Sequence, residues 1–172
     1  TRKVIGDHST IGIVVTTDGS IGELKRSAYI DAEKQTVDEL KKLPNVMMNN
    51  GYVTDEEMAK AFIEADWIIL PYNSATQSGV VIDGYRFGRP CIAFSVGAIA
   101  EQVCEGVSGY LIPEGNNAAF ADKLRGAVCM SEGEYKKMSQ NAYEYGVKKY
   151  SAEGAIGRFM KLRSALQTES LR

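Results

Sequence analysis

Short, uninterrupted apolar runs recur along this chain with helix-length segments between them: IGIVV from Ile11 to Val15, WIIL from Trp67 to Leu70, CIAF from Cys91 to Phe94 and YLI from Tyr110 to Ile112. A strand that is apolar at every position, and not at alternate ones, must bury both faces. Strands of that kind separated by crossover-length helices form a mainly parallel sheet with right-handed crossovers, so helices cover both sides. The sequence therefore predicts an α/β fold, Rossmann-like, with three α/β/α layers and a mainly parallel sheet of five to six strands.

The segments between the runs carry helix signals. An apolar stripe of Leu24, Ala28, Ala32, Val37 and Leu40 predicts a helix from about Gly22 to Leu43, stopped by Pro44, and Asn45 to Asn49 reads as a further short strand. Thr54 with Glu57, and Ser131 with Glu134, form the Ser/Thr-x-x-Glu pattern in which side chain and backbone at a helix start satisfy each other. The first of these helices places Met58, Ala61, Phe62 and Ala65 on one side. A third helix is predicted from about Ser78 to Phe87, with Gly88 as a left-handed cap and Pro90 just beyond. A short one follows around Ile99 to Glu105, bounded by Gly97 and Gly106. From Asn117 the chain reads as helical, and Ser151 opens a last helix through Phe159, Leu162 and Leu166.

With 172 residues, no internal repeat and no low-complexity linker, one domain over 1–172 is the economical reading. Lys and Arg number 20 against 22 Asp and Glu, a net charge of -2, so no general basic field draws nucleic acid. Cys91, Cys104 and Cys129 cannot all pair with one another, and the single His8 leaves no zinc set, so no metal is expected. Three free thiols point to a reducing cytoplasm. The chain begins abruptly at Thr1 without a signal-peptide pattern, as a piece of a longer protein does. Nothing in the sequence decides membrane association.

Ligands of open parallel sheets collect at the carboxyl ends of the strands. Among those junctions, the one after WIIL, PYNSATQSGVV, leads into a helix whose first turn holds Ser78, Gly79 and Val80. Free amides and the positive end of the helix dipole attract an anion there, and glycine at 79 lets a phosphate approach. The same residues also read as an ordinary capped helix start, with Ser78 as its cap. Neither the G-x-G-x-x-G nor the G-x-x-x-x-G-K-[ST] phosphate motif occurs in the chain, and G-x-S-x-G is also missing.

The span from Gly51 to Ile112 has a wider pattern: Gly51-Tyr52-Val53 before the capped helix, Ala65-Asp66 and Leu70-Pro71 around the strand, Gln77-Ser78-Gly79-Val80, Gly88-Arg89-Pro90, Val96-Gly97, Glu101, and Gly106 and Gly109 before YLI. In order and spacing it resembles the C-terminal domain of group 1 (family 4-like) glycosyltransferases of the GT-B fold. The resemblance implies a domain that holds a nucleoside-diphosphate sugar as co-substrate, without a metal, and transfers its sugar with retention to an acceptor. The acceptor-binding N-terminal domain lies outside this chain, so the chain alone is expected to bind donor weakly and turn over little.

By position, the amides of Ser78, Gly79 and Val80 would hold the diphosphate. Gly51, Tyr52 and Val53 would flank the nucleobase, though Tyr52 reads equally as a half-buried strand-end aromatic. The two positions of the family's paired glutamates are Ala75 and Asp83. Asp83 keeps a carboxylate for the ribose, whereas Ala75 has none, which shifts donor-sugar contacts to Thr76, Gln77 and backbone amides. Glu101 matches a family acid and reads also as a solvated carboxylate at a helix dipole. Arg2 and Lys3 are poor matches to the family's basic loop. The sequence leaves open a sugar-nucleotide epimerase of similar fold, for which the predicted cleft is sparse in acid and base residues. It also leaves open an inactive binding module, which Ala75 favours.

Overall fold

The structure, a computed structural model, describes residues 4–6, 54–154, 156, 157 and 160. In chain order its elements are β1 (Val4–Gly6), α1 (Asp55–Glu64), β2 (Trp67–Leu70), α2 (Gly79–Arg86), β3 (Cys91–Phe94), α3 (Ile99–Gln102), β4 (Gly109–Ile112), α4 (Asn117–Val128) and α5 (Glu132–Tyr150). The four strands form one sheet in the order β1-β2-β3-β4, and every neighbouring pair is parallel. The fold is α/β, as the apolar runs predict.

Two-sided burial is explicit in β2 and β3, where all four residues of each strand are buried. The register places Ile69 beside Ile92, and Ile92 beside Tyr110, so alternate residues fall on shared faces. On one face Trp67 stacks on Tyr110 with ring centroids 5.9 Å apart, and Phe94 meets Phe120 of α4 at 4.9 Å. The opposite face carries Ile68, which presses against α2 so closely that a Cβ on Gly84 would lie 1.8 Å from the Ile68 side chain, with the Phe62 ring of α1 next to it. Helices therefore cover both sides of the sheet. Packing α2 on α5 likewise depends on a missing side chain: a Cβ at Gly146 would stand 2.5 Å from the Tyr85 Cβ.

Helix boundaries follow their local chemistry. Thr54 and Ser131 both make complete capping boxes with Glu57 and Glu134. Helix α2 ends in a Schellman turn: the Gly88 N–H donates to the Tyr85 carbonyl, the Arg89 N–H to the Gly84 carbonyl, and Gly88 has φ +66°. Arg89 then reaches back to the end of α1, donating to the carbonyls of Phe62 and Ile63 and to the Tyr135 hydroxyl. Three free cysteines are present, of which Cys91 is buried, and burial pushes its thiol pKa up.

Several expectations are adjusted. Val4–Gly6 forms a strand beside β2, where the sequence offered only a loose terminal stretch; three residues are too few to register as an apolar run. Helix α3 stops at Gln102, short of Glu105, because Val103 turns extended and the Cys104 N–H bonds to the Ser108 hydroxyl. The strands predicted at 11–15 and 45–49, the helix at 22–43, and Phe159, Leu162 and Leu166 lie outside the described residues. Among those described after Ser151, residues 152–154, 156, 157 and 160 are helical.

Replacing Gly146 by alanine is expected to destabilise the fold by about 1–3 kcal/mol in urea unfolding, although alanine is the better helix former, because the added methyl collides with Tyr85. The capping carboxylates predict a pH effect. Hydrogen bonds from the Thr54 backbone and side chain hold the Glu57 pKa below 4.5, and those from the Ser131 side chain and backbone do the same for Glu134. Depressed carboxylate pKa values add stability above the unfolded-state value, and that stability is lost as pH falls through the folded-state value. The paired substitution Glu57→Gln with Glu134→Gln should therefore lower the urea midpoint at neutral pH, with the gap closing in acid below pH 4.5.

Candidate functional site

Because the strands run parallel, the segments that leave β2 and β3 emerge at one edge of the sheet. They dock on each other there. The Ala98 N–H donates to the Thr76 carbonyl at 3.2 Å. Gly97 has φ +46°, and a Cβ on it would lie 1.9 Å from the Ala75 carbonyl oxygen, so the two backbones touch only because residue 97 is glycine. Ala75, Thr76 and Gln77 thus belong to a loop fixed against 97–98, with Thr76 and Gln77 exposed.

Ser78 is the N-cap of α2, in extended conformation, but its side chain makes no capping hydrogen bond. Its backbone is held instead by Gln102 at the end of α3. The Gln102 Oε1 accepts the Ser78 N–H at 2.9 Å, and the Gln102 Nε2 donates to the Ser78 carbonyl at 3.0 Å. Both residues are 6 % exposed. The Ser78 N–H, which the sequence offered as a diphosphate donor together with Gly79 and Val80, is bonded within the protein in this structure. Gly79 and Val80 differ. As the first two helical residues they have no intrahelical acceptor for their N–H groups, and none other is found among the described residues. Gly79 is exposed, with nothing within 4 Å of where a Cβ would stand. The Val81 N–H also lacks an intrahelical acceptor, but Val81 is fully buried, so the anion-attracting part of this turn that is open to a ligand is the Gly79 and Val80 amides at the positive end of α2.

Gln102 is itself fixed by a buried chain of hydroxyls. Its carbonyl can only accept, so the Tyr85 hydroxyl donates to it at 3.2 Å and accepts a hydrogen bond from the Ser108 hydroxyl at 2.8 Å, while Ser108 Oγ accepts the Cys104 N–H at 2.9 Å. Burial raises the Tyr85 pKa far above the usual phenol range, which keeps it a donor. From α5, Lys149 and Tyr145 both donate to the Glu101 carbonyl. Glu101 is exposed, and it is its main chain that this structure anchors. Breaking one bond in such a buried set leaves its partner unsatisfied, at about 1–3 kcal/mol.

Asp83 lies one turn along α2 from Gly79, and its Oδ1 pairs with the Arg86 guanidinium at 2.8 Å on a solvent-facing surface. Gly51, Tyr52 and Val53 lie outside the described residues. Sequence reasoning missed Gln102, Tyr85 and Ser108. The one signal was a glutamine inside the apolar stretch Ile99 to Val103, and a helix of four residues is too short for its facing to be read from periodicity. Among the described residues, no group of three or more His, Cys, Asp or Glu could hold a metal ion, and no helix is long and apolar enough to cross a membrane.

The fold has solved counterparts. The chain superposes on a sucrose-phosphate synthase from Thermosynechococcus elongatus with TM-score 0.66 and 20% identity, covering 86% of this chain and 37% of that one. Anabaena HepE in complex with UDP gives 0.72 at 14% identity, over 95% of this chain and 49% of that one. A glycosyltransferase from Rickettsia africae gives 0.71 at 14%, over 94% and 47%. The fold is that of the Rossmann-like C-terminal domain of GT-B glycosyltransferases.

Sequence comparison adds a second likeness. Residues 1–71 match the family described as stage IV sporulation protein A, ATPase domain. The chain is 38% identical to stage IV sporulation protein A of Bacillus subtilis over 101 residues, which is 59% of this chain and 18% of that protein. Against the Clostridioides difficile protein of the same name it is 56% identical over 80 residues, or 42% and 16%. A D-inositol 3-phosphate glycosyltransferase of Corynebacterium urealyticum is 26% identical over 113 residues, or 66% and 26%. The chain thus spans less than a fifth of the sporulation proteins and about a quarter of the glycosyltransferase.

Gly97→Ala is expected to separate the two loops, since the methyl meets backbone and the residue is held at positive φ. Limited proteolysis should then cut within 72–77 faster than in the parent, and a parent-like digestion rate would refute the docking.

Proposed function

We propose that the chain, as one domain over 1–172, is the donor-binding half of a glycosyltransferase, holding a nucleoside-diphosphate sugar at the amino-terminal end of α2. The observation that carries this reading is the pair of open amides at Gly79 and Val80, on the carboxyl edge of a parallel sheet whose fold is that of GT-B enzymes. A relative of the same fold was solved with UDP, which supports a nucleotide as the ligand class. The Gly79 and Val80 N–H groups would meet the diphosphate. Sugar transfer builds negative charge on that leaving group, and fixed dipoles stabilise it without reorganising.

The remaining assignments belong to the same proposal. Asp83 would take the ribose hydroxyls by exchanging its Arg86 partner, and the exposed Thr76 and Gln77 next to Ala75 would face the donor sugar. Gly51, Tyr52 and Val53 would flank the base, and Glu101 stands as a further candidate near the sugar. Acceptor binding, and with it transfer with retention, would be completed by a second domain, because reaction in this architecture needs donor and acceptor oriented against each other. No metal takes part in this scheme, and the setting is cytoplasmic.

A second reading is favoured by the match over residues 1–71: this stretch, which includes two strands of the sheet, would work as part of a sporulation-type ATPase. Calorimetric titration of the chain with UDP, GDP, ADP and ATP separates the two. Binding of a diphosphate, lost at least about tenfold in Gly79→Asp, supports the first reading. The substitution is informative because an aspartate at a helix start favours the dipole and has open space, so folding is retained while phosphate is repelled. Unchanged affinity would place the anion elsewhere, and hydrolysis of ATP by the chain would favour the second reading.

A further inference from the structure

We propose that Gln102 is the positioning residue of this nucleotide site: it withdraws the Ser78 amide from the ligand and fixes α2 so that only Gly79 and Val80 offer donors. The inference rests on the nucleotide-binding reading above and adds the residue that sets its geometry.

A side-chain amide both accepts and donates at a single planar end without any change of protonation, and here it meets both backbone groups of Ser78. Contact with solvent is nearly absent at both residues, at 6 % exposure each, so water does not stand in for either bond. The Gln102 main chain is a fixed reference, tied through its carbonyl to Tyr85 and through the neighbouring Glu101 carbonyl to Lys149 and Tyr145. Tyr85 lies on α2 itself, so helix and clamp form a closed ring: Ser78 to Gln102 by side chain, Gln102 to Tyr85 by main chain. A ligand gripping Gly79 and Val80 therefore meets donors whose direction is set from α3, one residue before the grip begins.

Glutamate tests the requirement for a donor. A Gln102→Glu carboxylate accepts the Ser78 N–H but repels the Ser78 carbonyl, whereas the protonated acid donates to that carbonyl and restores both bonds. Burial next to a carbonyl raises the pKa of such an acid. The other ionisable groups at this junction are Glu101 on the same helix, Glu105 after it, Lys149 and Tyr145 from α5, and Tyr85 from α2.

The experiment is calorimetric titration of the full chain with UDP at about pH 8 and about pH 5, each variant being compared with the parent at the same pH so that titration of UDP itself cancels. Gln102→Leu should bind about tenfold more weakly at both values; Gln102→Glu should be about tenfold weaker at the higher and within about twofold of the parent at the lower. The acid rescue also reports that the variant is folded. A Gln102→Glu ratio that does not change with pH, or parent-like binding by Gln102→Leu, overturns the proposal. Amide exchange gives an arm that needs no ligand: the Ser78 N–H should be protected in the parent and unprotected in Gln102→Leu, and equal protection in both overturns the clamp. Failure of the parent to bind UDP would remove the nucleotide reading and this inference with it, whereas parent binding with a pH-independent ratio removes the inference alone.

Discussion

The complete burial of β2 and β3 is the constraint from which the rest follows. Two paired runs of four residues, all buried and none with a charged side chain, cannot face water on either side, so helices must cover both faces, and parallel strands must be joined by crossovers. Once strands are parallel, their carboxyl ends share one edge, and every loop that leaves them is delivered to the same place. The contact between Gly97 and Ala75, and the amide pair between Gln102 and Ser78, exist because two loops far apart in sequence are brought to that edge. Function in this fold is thus a consequence of strand direction before it is a matter of any particular side chain.

The same edge is held by polar groups buried out of water. Backbone amides at a helix start attract anions, but they do so only where the protein leaves them open. Here the protein takes the Ser78 amide, buries Val81, and leaves open the two between, at Gly79 and Val80. The selection is made by a glutamine whose own carbonyl is tied to Tyr85, and Tyr85 to Ser108, so that the polar groups in the chain satisfy each other. A buried network of that kind is rigid because any member that moves leaves another unpaired.

Two likenesses meet in the chain. Its first 71 residues match a sporulation ATPase domain family, while the sheet and its helices have the fold of the C-terminal domain of GT-B glycosyltransferases. The two likenesses overlap rather than abut, since the family match runs through α1 and β2, and these elements belong to the sheet. Strand β1, inside the matched segment, pairs in parallel with β2 over Val4 to Gly6. Whatever the origin of the amino-terminal part, the described portion of it adds to the same sheet.

Local patterns were enough for most elements. WIIL and CIAF are strands because four apolar residues in a row have no other way to be buried, and the capping boxes at Thr54 and Ser131 need only residues three apart. Gly88 could be read as a left-handed cap because the helix before it and Pro90 after it leave that position few conformations. The helix start at Ser78 and Gly79 was legible for the same reason. What the sequence could not disclose is which amides of that start remain open, because Gln102 lies 24 residues away and its facing depends on where a four-residue helix ends. Nor could it tell that Asp83 is paired with Arg86, or that Gly97 is needed for the approach of Ala75 and not for a turn alone. Sequence alone determined β2, β3 and β4, the capping boxes and the cover of helices on both faces, since each depends on neighbours within a few residues, whereas the three residues of β1 gave no such signal. The tertiary structure decided which donors face outward, since a hydrogen bond between distant segments is specified by the packing that brings them together.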